Sequence, residues 1–223
     1  MFNDIDNLIQ ENKYSKHSFI NYIENNDVDP NNLKKWAIQK YFQVYHQNCG
    51  FSAIHANCPF EDVRQFEVEQ LIEEETDLMG GSASHYNMMK RFAFALGATE
   101  EDFLNTPMAQ PVKKHIARIK EICLNQHFVY GLFAFYIFES QTPESALRMY
   151  RAFKNRFNFS DETLEWFLVH GSADVEHSNK SRDFILKYCH EIPDFHEKKI
   201  DFVLSGVNSW KELQDYYYQL LIQ

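Results

Sequence analysis

Apolar residues recur at spacings of three and four along almost the whole chain, and this period constrains the fold more than any other feature. Such spacing places apolar side chains on one face of an α-helix, whereas a half-buried strand needs strict alternation. Only 7 glycines and 6 prolines occur among 223 residues, so few positions interrupt helices. The pattern predicts an all-α protein, a single compact bundle of about seven helices over residues 1–223.

Short breaks at proline, glycine and polar residues separate the predicted helices. In chain order these helices span residues 31–57, 60–79, 85–96, 111–141, 143–157, 160–190 and 195–221. The segment 129–139, VYGLFAFYIFE, is apolar nearly all round, which predicts the central buried helix. The stretch 80–84 is rich in glycine and serine, so we expect it to distort the helix before it. Ser84 is a candidate N-cap for the helix that follows.

Charge and composition exclude several classes of function. The formal net charge of -10 argues against binding along a nucleic-acid backbone, which needs clustered Lys and Arg. No apolar run approaches the roughly 18 residues that a membrane span requires. The four cysteines form no CxxC pair, so we interpret them as reduced thiols and expect a cytoplasmic protein.

Charged residues on apolar stripes are the best candidates for chemistry, because a buried charge is costly unless it is paired or bound to a metal. Glu139 ends the apolar run 129–139. His170, Asp174 and His177 form an H-x3-D-x2-H pattern, which places all three within an arc of about 60° on one helix. Two imidazoles and a carboxylate on one face are a usable ligand set for iron, manganese or zinc.

A run of three glutamates at positions 73–75 adds a further carboxylate. Position 75 has apolar neighbours at spacings of three and four on both sides: Leu71, Ile72, Leu78 and Met79. We therefore select Glu75, with Glu74 as the alternative, and His85 as the imidazole that follows. Each of these signals alone also fits a solvated acidic face, a helix end that reaches water or a surface cluster. Together, however, they supply the carboxylates and imidazoles that two metal ions in a helical bundle require.

At these residues the chain resembles the haem-oxygenase-like diiron oxidases, close to the CADD branch, which share a fold with the TenA and PqqC proteins. The resemblance spans roughly residues 38–182. It is carried by SAIHANCPFEDVRQFEVEQLIEEE, H-x-x-M-M-K-R-F-A, FESQTPE and FLVHGSADVEHS. It implies six metal ligands: Glu75 (or Glu74), His85, Glu139, His170, Asp174 and His177.

The resemblance also implies an activity, namely that of a non-haem diiron oxidoreductase that uses O2. The cofactor would be two Fe(II) ions, or iron with manganese, and no haem. The reaction would pass through a peroxo-diferric intermediate on a small amino-acid-like metabolite, by N-oxygenation, C–C cleavage or nitrile formation. An external reductant and a homodimer stay open. We select Arg148, Arg151 and Tyr136 as substrate-binding candidates, since arginine recognises a carboxylate through two parallel hydrogen bonds.

Three alternatives remain open from the sequence. CADD-like proteins are similar to self-sacrificing p-aminobenzoate synthases, which use an internal Tyr and a Lys shortly after the FES-type Glu. The residues that this chain offers at that place are Arg148, Met149, Arg151 and Lys154. A metal-free enzyme of the TenA or PqqC kind and a protein-binding module are the other two. Among the remaining histidines, His46 is a candidate for a seventh ligand or for a hydrogen-bond partner of a ligand, and His115 is predicted to be peripheral.

Overall fold

The computed structural model describes residues 2–171 and 173–223, except for the side chains of residues 173 and 174. Within these residues the chain is helical and contains no β-strand. The α-helices are α1 (Phe2–Glu11), α2 (Ser18–Asn25), α3 (Pro30–Gln47), α4 (Cys49–Asn57), α5 (Glu61–Glu75), α6 (His85–Ala95), α7 (Glu100–Asn105), α8 (Gln110–Asn125), α9 (Phe128–Glu139), α10 (Thr142–Phe157), α11 (Glu165–His170), α12 (Ala173–Tyr188) and α13 (Phe195–Leu221). Single 3-10 turns occur at Tyr14–Lys16 and Cys189–Glu191.

The all-α prediction is confirmed, but the described chain contains more helices than the seven predicted. Some long predicted segments are divided, for instance at Asn48 between α3 and α4 and after His170 between α11 and α12. The segment 111–141 divides before α9, where the Nδ1 atom of His127 accepts a hydrogen bond from the backbone N–H of Val129. This side-chain cap satisfies a first-turn donor and so lets a new helix begin within an apolar run.

Helix α9 is the centre of the bundle, as its sequence predicts. Every residue of α9 except Tyr130 is buried. It packs along α12 and also contacts α4, α8 and α13. Burying each large apolar side chain contributes about 1.5–3 kcal/mol, so the run of aromatic residues strongly favours this central position. The packing of α12 along α9 brings the end of α9 close to His177.

Helix α3 is anchored by a cluster of aromatic rings. The Trp36 indole lies 5.2 Å from the Phe19 ring and 6.1 to 6.4 Å from those of Phe92, Phe153 and Tyr217, measured between centroids. These partners belong to four other helices, so the position of α3 is determined by contacts on several sides. No helix in the described part of the chain has both the length and the apolarity needed to cross a membrane.

Candidate metal centre

The carboxylate that α5 directs into the core belongs to Glu74 and not to Glu75. The buried face of α5 follows the helical period: Val63, Phe66, Glu67, Gln70 and Glu74. Glu75 is exposed. The apolar neighbours that favoured position 75, Leu78 and Met79, lie beyond the end of the helix and are 76% and 44% exposed. The selection of Glu75 is therefore contradicted, because a helical spacing was applied across a point where the helix has already ended.

The loop between α5 and α6 depends on two glycines. Gly80 and Gly81 have φ angles of +74° and +152°, in the region that side chains disfavour. A Cβ on Gly80 would lie 3.3 Å from the Nε2 atom of His85, and one on Gly81 would overlap the side chain of Met88. Glycine at both positions therefore lets the chain turn closely around the histidine that begins α6.

This loop is also tied to α11 by polar contacts. The Ser82 backbone N–H donates to Oε1 of Glu165 at 2.8 Å, and Arg91 donates to Oε2 of the same carboxylate at 2.8 Å. The insertion does not distort α5, contrary to expectation, since α5 is regular as far as Glu75. The glycine-rich stretch instead forms a separate, anchored connection that places the start of α6 beside the end of α11.

His85 faces Glu74 across the core and is only 1% exposed. Its Nδ1 atom lies 3.0 Å from Oε1 of Glu74. Neither ring nitrogen, however, has the geometry of a hydrogen bond to any described residue. The pair is therefore a close, buried contact between an imidazole and a carboxylate.

His170 completes this group from the end of α11. Its Nδ1 atom lies 2.8 Å from the carbonyl oxygen of Trp166, and a carbonyl only accepts, so Nδ1 carries the proton. The lone pair is then on Nε2, as in metal-ligating histidines whose other nitrogen donates to a backbone carbonyl. The Trp166 indole stacks on the His170 ring at 4.0 Å, and the His85 ring lies 4.6 Å away on another side.

Glu74, His85 and His170 thus form a buried carboxylate–imidazole cluster. Each offers one ligand atom, and these atoms lie within 4.8 Å of one another. The three residues come from three different helices, and all are buried. Packing these three helices together does not by itself require three metal-ligating side chains to meet in the core. Their convergence fits a metal ion that prefers nitrogen and oxygen ligands.

A second group lies at the end of α9 and on α12. The Nε2 atom of His177 is 2.8 Å from Oε2 of Glu73, and both His177 and Glu139 are 7% exposed. Glu139 lies within electrostatic reach of both groups, since His177, Glu74 and Glu73 all act on its ionisation. Asp174, the remaining predicted ligand, belongs to α12, but its side chain lies outside the described residues.

The pKa values of the first group reflect its burial and its mutual contacts. Burial alone would raise the pKa of Glu74, but the charge and contact of His85, with the charges of His170 and His177, lower it to about 2. For His85, burial lowers the pKa, yet the Glu74 carboxylate raises it above its ordinary value. Burial and then the charge of His85 lower the pKa of His170 to about 3, so this imidazole is neutral at neutral pH.

The second group contains carboxyls that hold protons more readily. Burial raises the pKa of Glu139 to about 7, against the opposing charge of His177 and with the support of the other glutamates. Glu67 is 1% exposed, and burial together with the charge of Glu139 raises its pKa well above the ordinary value. Burial opposes protonation of His177, but the contact with Glu73 and the charge of Glu139 raise its pKa.

The predicted substrate-binding residues do not join this cluster. Arg148 pairs with Glu24, with Nε 2.6 Å from Oε1 of the carboxylate, and so holds α10 against α2. Arg151 is exposed. The hydroxyl of Tyr136 donates to Oδ1 of Asp6 at 2.6 Å, which fastens α1 to α9. The predictions for Arg148 and Tyr136 are contradicted because contacts with the N-terminal helices occupy these side chains, and Arg151 is at the surface and not in the buried cluster.

Other buried polar residues were missed by the sequence analysis or interpreted as surface residues. Glu67 lies seven residues before Glu74 on the same helical face, and this two-turn spacing is the signal that could have identified it. His115 was predicted to be peripheral, yet it is only 4% exposed. Lys40 is 9% exposed, and it lies one turn after the buried Trp36 on α3.

The helices and the cluster together define a class of protein: an all-α bundle that buries carboxylate and imidazole ligands at its centre. A family model described as "Iron-containing redox enzyme" matches residues 34–208, most of the chain. The chain belongs to this family. The suspected relationship to haem-oxygenase-like iron enzymes is thereby confirmed.

Individual relatives agree with this assignment. The chain is 29% identical over 195 residues to a 4-aminobenzoate synthase of Nitrosomonas europaea, covering 83% of this chain and 78% of the relative. It is 26% identical over 181 residues to a 4-aminobenzoate synthase of Chlamydia pneumoniae, covering 81% and 79%. A domain of unknown function with a haem oxygenase-like fold from Shewanella denitrificans superposes with a TM-score of 0.77 at 12% identity, over 97% of this chain and 90% of the other. At that identity the likeness shows the fold alone, which is the haem-oxygenase-like fold predicted.

Proposed function

We propose that this chain is a non-haem diiron oxidoreductase that uses O2. Glu74, His85 and His170 would hold one iron, and Glu139, His177 and Asp174 would hold the other. The observation that carries the proposal is the convergence of Glu74, His85 and His170 within 4.8 Å in the core. Membership of a family of iron-containing redox enzymes supports iron as the metal.

The contact between Glu74 and His85 supports the fit of a metal ion. A carboxylate oxygen and an imidazole nitrogen are ligand types that iron would take in a helical bundle. The observed separation of the Glu74 Oε1 and His85 Nδ1 atoms is 3.0 Å. The Glu74 Oε2 atom also lacks a hydrogen-bond partner among the described residues. Buried polar atoms are normally satisfied, so a bound ion accounts for this exception.

The surrounding residues would serve the chemistry in three ways. When bound, the irons supply the electrons and open coordination positions for O2 activation. Trp166, stacked on His170, keeps water from that side of the site. The backbone carbonyl of Trp166 holds His170 in the tautomer with a free Nε2 lone pair. Burial and the charge of Glu139 raise the pKa of Glu67 well above its ordinary value, so this carboxyl can hold a proton beside the proposed ligand Glu139.

We propose a small amino-acid-like metabolite as the substrate, and the relatives favour one specific second candidate, 4-aminobenzoate formation. The self-sacrificing form of that reaction, as the family resemblance describes it, draws on a lysine soon after the FES-type glutamate. Here Lys154 is at the surface, paired with Asp161 at 2.6 Å. That side chain therefore points away from the cluster. This contact argues for an external substrate over a reaction of the chain with itself.

The first experiment loads metal-free protein with Fe(II) under anaerobic conditions and counts iron and manganese per chain. Mixing with O2 and following oxygen consumption then tests the reaction, with and without ascorbate as reductant. His170→Ala should lose iron and oxygen consumption while its helical circular dichroism stays unchanged. His190→Ala is the matched control, since the His190 side chain is 70% exposed. Unchanged oxygen consumption in the His170 variant would refute the proposal.

The same reaction mixture separates the two candidate functions. Mass spectrometry of the small molecules detects 4-aminobenzoate, and mass spectrometry of the intact chain detects loss of a side chain. An oxidised amino-acid product with an unchanged chain mass supports the first candidate. Release of 4-aminobenzoate without added substrate, together with a lighter chain, supports the second.

A further inference from the structure

Helix α5 directs two glutamates toward α12, one helical turn apart. Glu69 pairs with Lys180, with 3.5 Å between Oε2 and Nζ, and both side chains are about half exposed. Glu73 instead meets His177, with 2.8 Å between Oε2 and Nε2, and its side chain is only 16% exposed. The first pair is therefore a surface ion pair, whereas the second places a carboxylate directly on a proposed iron ligand.

The contact between Glu73 and His177 joins an oxygen and a nitrogen that can both bind a metal. Nitrogen and oxygen ligands lie about 2.0–2.2 Å from an ion such as zinc, so atoms 2.8 Å apart are close enough to bind the same ion. His177 is one of the residues that we propose to hold the second iron, and it is buried. Glu73 is therefore in a position to hold that iron with it.

The glycine turn after α5 confines the Glu73 side chain. A Cβ on Gly80 would lie 3.2 Å from the Cβ atom of Glu73 and 3.3 Å from the Nε2 atom of His85. The backbone of this turn thus packs against Glu73 and also against His85, a proposed ligand of the first iron. Glu73 is within electrostatic reach of both groups of ligands, since His177, His85 and Glu74 all act on its ionisation.

Charge balance in the buried site favours a fourth carboxylate. Two Fe(II) ions carry four positive charges, whereas ionised Glu74, Glu139 and Asp174 supply three negative charges and the neutral imidazoles supply none. An uncompensated charge in a protein interior is costly. The Glu73 carboxylate would bring the total charge of metals and ligands to zero.

We propose that Glu73 is a seventh metal ligand, which binds the second iron through Oε2 together with His177. This rests on the proposed diiron function and deepens it, because it adds a carboxylate to the six ligands that the family resemblance implies. The two adjacent glutamates would then serve different irons, since Glu74 faces His85 and Glu73 faces His177. Neighbouring residues on a helix project about 100° apart, so one helix end can direct carboxylates to two ions.

Glu73→Gln, with Glu69→Gln as the matched control, tests this assignment. Both variants remove a carboxylate by which α5 contacts α12 and keep the size of the side chain, but only the first removes the proposed ligand. Anaerobic titration with Fe(II) against a competitor chelator should show the second iron bound about 100-fold more weakly in Glu73→Gln and as in wild type in Glu69→Gln. If Glu73 only occupies His177 in the metal-free protein, its removal would leave iron binding unchanged or tighten it, and that result would overturn the proposal.

Cobalt(II) separates a metal ligand from a residue that merely orients His177. The visible absorption of bound Co(II) depends on the number and type of its ligands, so the spectrum at saturation should change in Glu73→Gln and not in Glu69→Gln. Weaker iron binding with an unchanged Co(II) spectrum would place Glu73 outside the coordination sphere and overturn the proposal.

A second variant keeps the test valid if Glu73→Gln does not fold, as judged by circular dichroism. Glu73→Asp keeps the charge but withdraws the carboxylate by one methylene group. We expect it to bind the second iron about 10-fold more weakly than the wild type, with a changed Co(II) spectrum. Binding and a spectrum like those of the wild type would overturn the proposal.

Oxygen consumption, measured separately, distinguishes this proposal from the proposed function. Binding of two irons that depends on Glu73, in a protein that consumes no oxygen, would support the ligand and refute the oxidase function. Oxygen consumption by a two-iron protein whose iron affinity and Co(II) spectrum are indifferent to Glu73 would do the reverse.

Discussion

Replacing Glu74 and Glu75 one at a time tests which of the two glutamates is the metal ligand. The two glutamates are neighbours at the end of α5, but only Glu74 is buried against His85. Glu74→Gln keeps the size of the side chain and removes its charge, and Glu75→Gln does the same at an exposed position. We expect Glu74→Gln to hold one iron or fewer per chain and Glu75→Gln to hold as much as the wild type.

The magnitude follows from the number of ligands. A structural four-ligand metal site contributes roughly 10–16 kcal/mol, which is about 3 kcal/mol per ligand. Loss of the Glu74 carboxylate should therefore weaken the first iron about 100- to 1,000-fold. Anaerobic titration with Fe(II) and an equilibrium competitor chelator measures this change. Retention of full affinity in Glu74→Gln, or its loss in Glu75→Gln, would refute the assignment of the ligand.

The metal-free protein provides an independent readout of the same pair. The pKa of Glu74 falls from 4.5 to about 2 in the folded state, which corresponds to about 3 kcal/mol of stability. This contribution is present above pH 4.5 and is lost as the pH falls through about 2. The raised pKa of His85 contributes below pH 6.5 and is lost as the pH rises through its folded value. Glu74→Gln should remove both dependences from the free energy of unfolding in urea, and Glu75→Gln should leave them.

Three further predictions address proton linkage, the glycine turn and the misassigned arginine. Metal loading near pH 6.5 should release protons from His85 and His177, whose pKa values are raised, and the number of protons released should fall as the pH rises. Calorimetry in buffers of different ionisation enthalpy measures this number. A number that does not change with pH would contradict the assignment of these two ligands. Gly81→Ala should lower the free energy of unfolding by roughly 2–5 kcal/mol, because the new Cβ would overlap the Met88 side chain. Gly97→Ala should cost less, since a Cβ there meets nothing within 4 Å. Equal melting temperatures for the two variants would contradict this reasoning. Arg148→Met should lower stability by about 1 kcal/mol with iron content unchanged, whereas loss of iron would place this residue at the site.

Much of the architecture could be predicted because the spacing of apolar residues along the chain indicates which face of each helix is buried. The buried position of α9 follows from a segment that is apolar on all faces, and a helix of that kind has no stable place at a surface. His85, Glu139, His170 and His177 were selected as polar groups on apolar stripes, and all four are buried. The number of helices was underestimated because side-chain caps, such as that of His127, start new helices inside apolar runs.

Errors in the site arose where the answer depended on distant contacts. The cationic side chain of Arg148 suits a carboxylate in any context, but only the fold shows that Glu24 already occupies it. Lys40 carries no local sign of its surroundings, since the two indoles nearest to it come from α11 and α13, more than 120 residues away. His115 was taken as peripheral because its burial depends on the packing of α8 against α13.

The sequence by itself determined the helical class, the central helix and the residue types available to a metal, because each depends on a period of 3.6 residues and on the chemistry of single side chains. Only the tertiary structure decided between Glu74 and Glu75. Helix α5 ends at Glu75, so residues beyond it no longer share its faces. The same applies to Lys40, whose ammonium meets the Trp166 and Trp210 rings only when α3, α11 and α13 pack together. Side-chain direction is a local property within a helix, but convergence on a common point is a property of the whole fold.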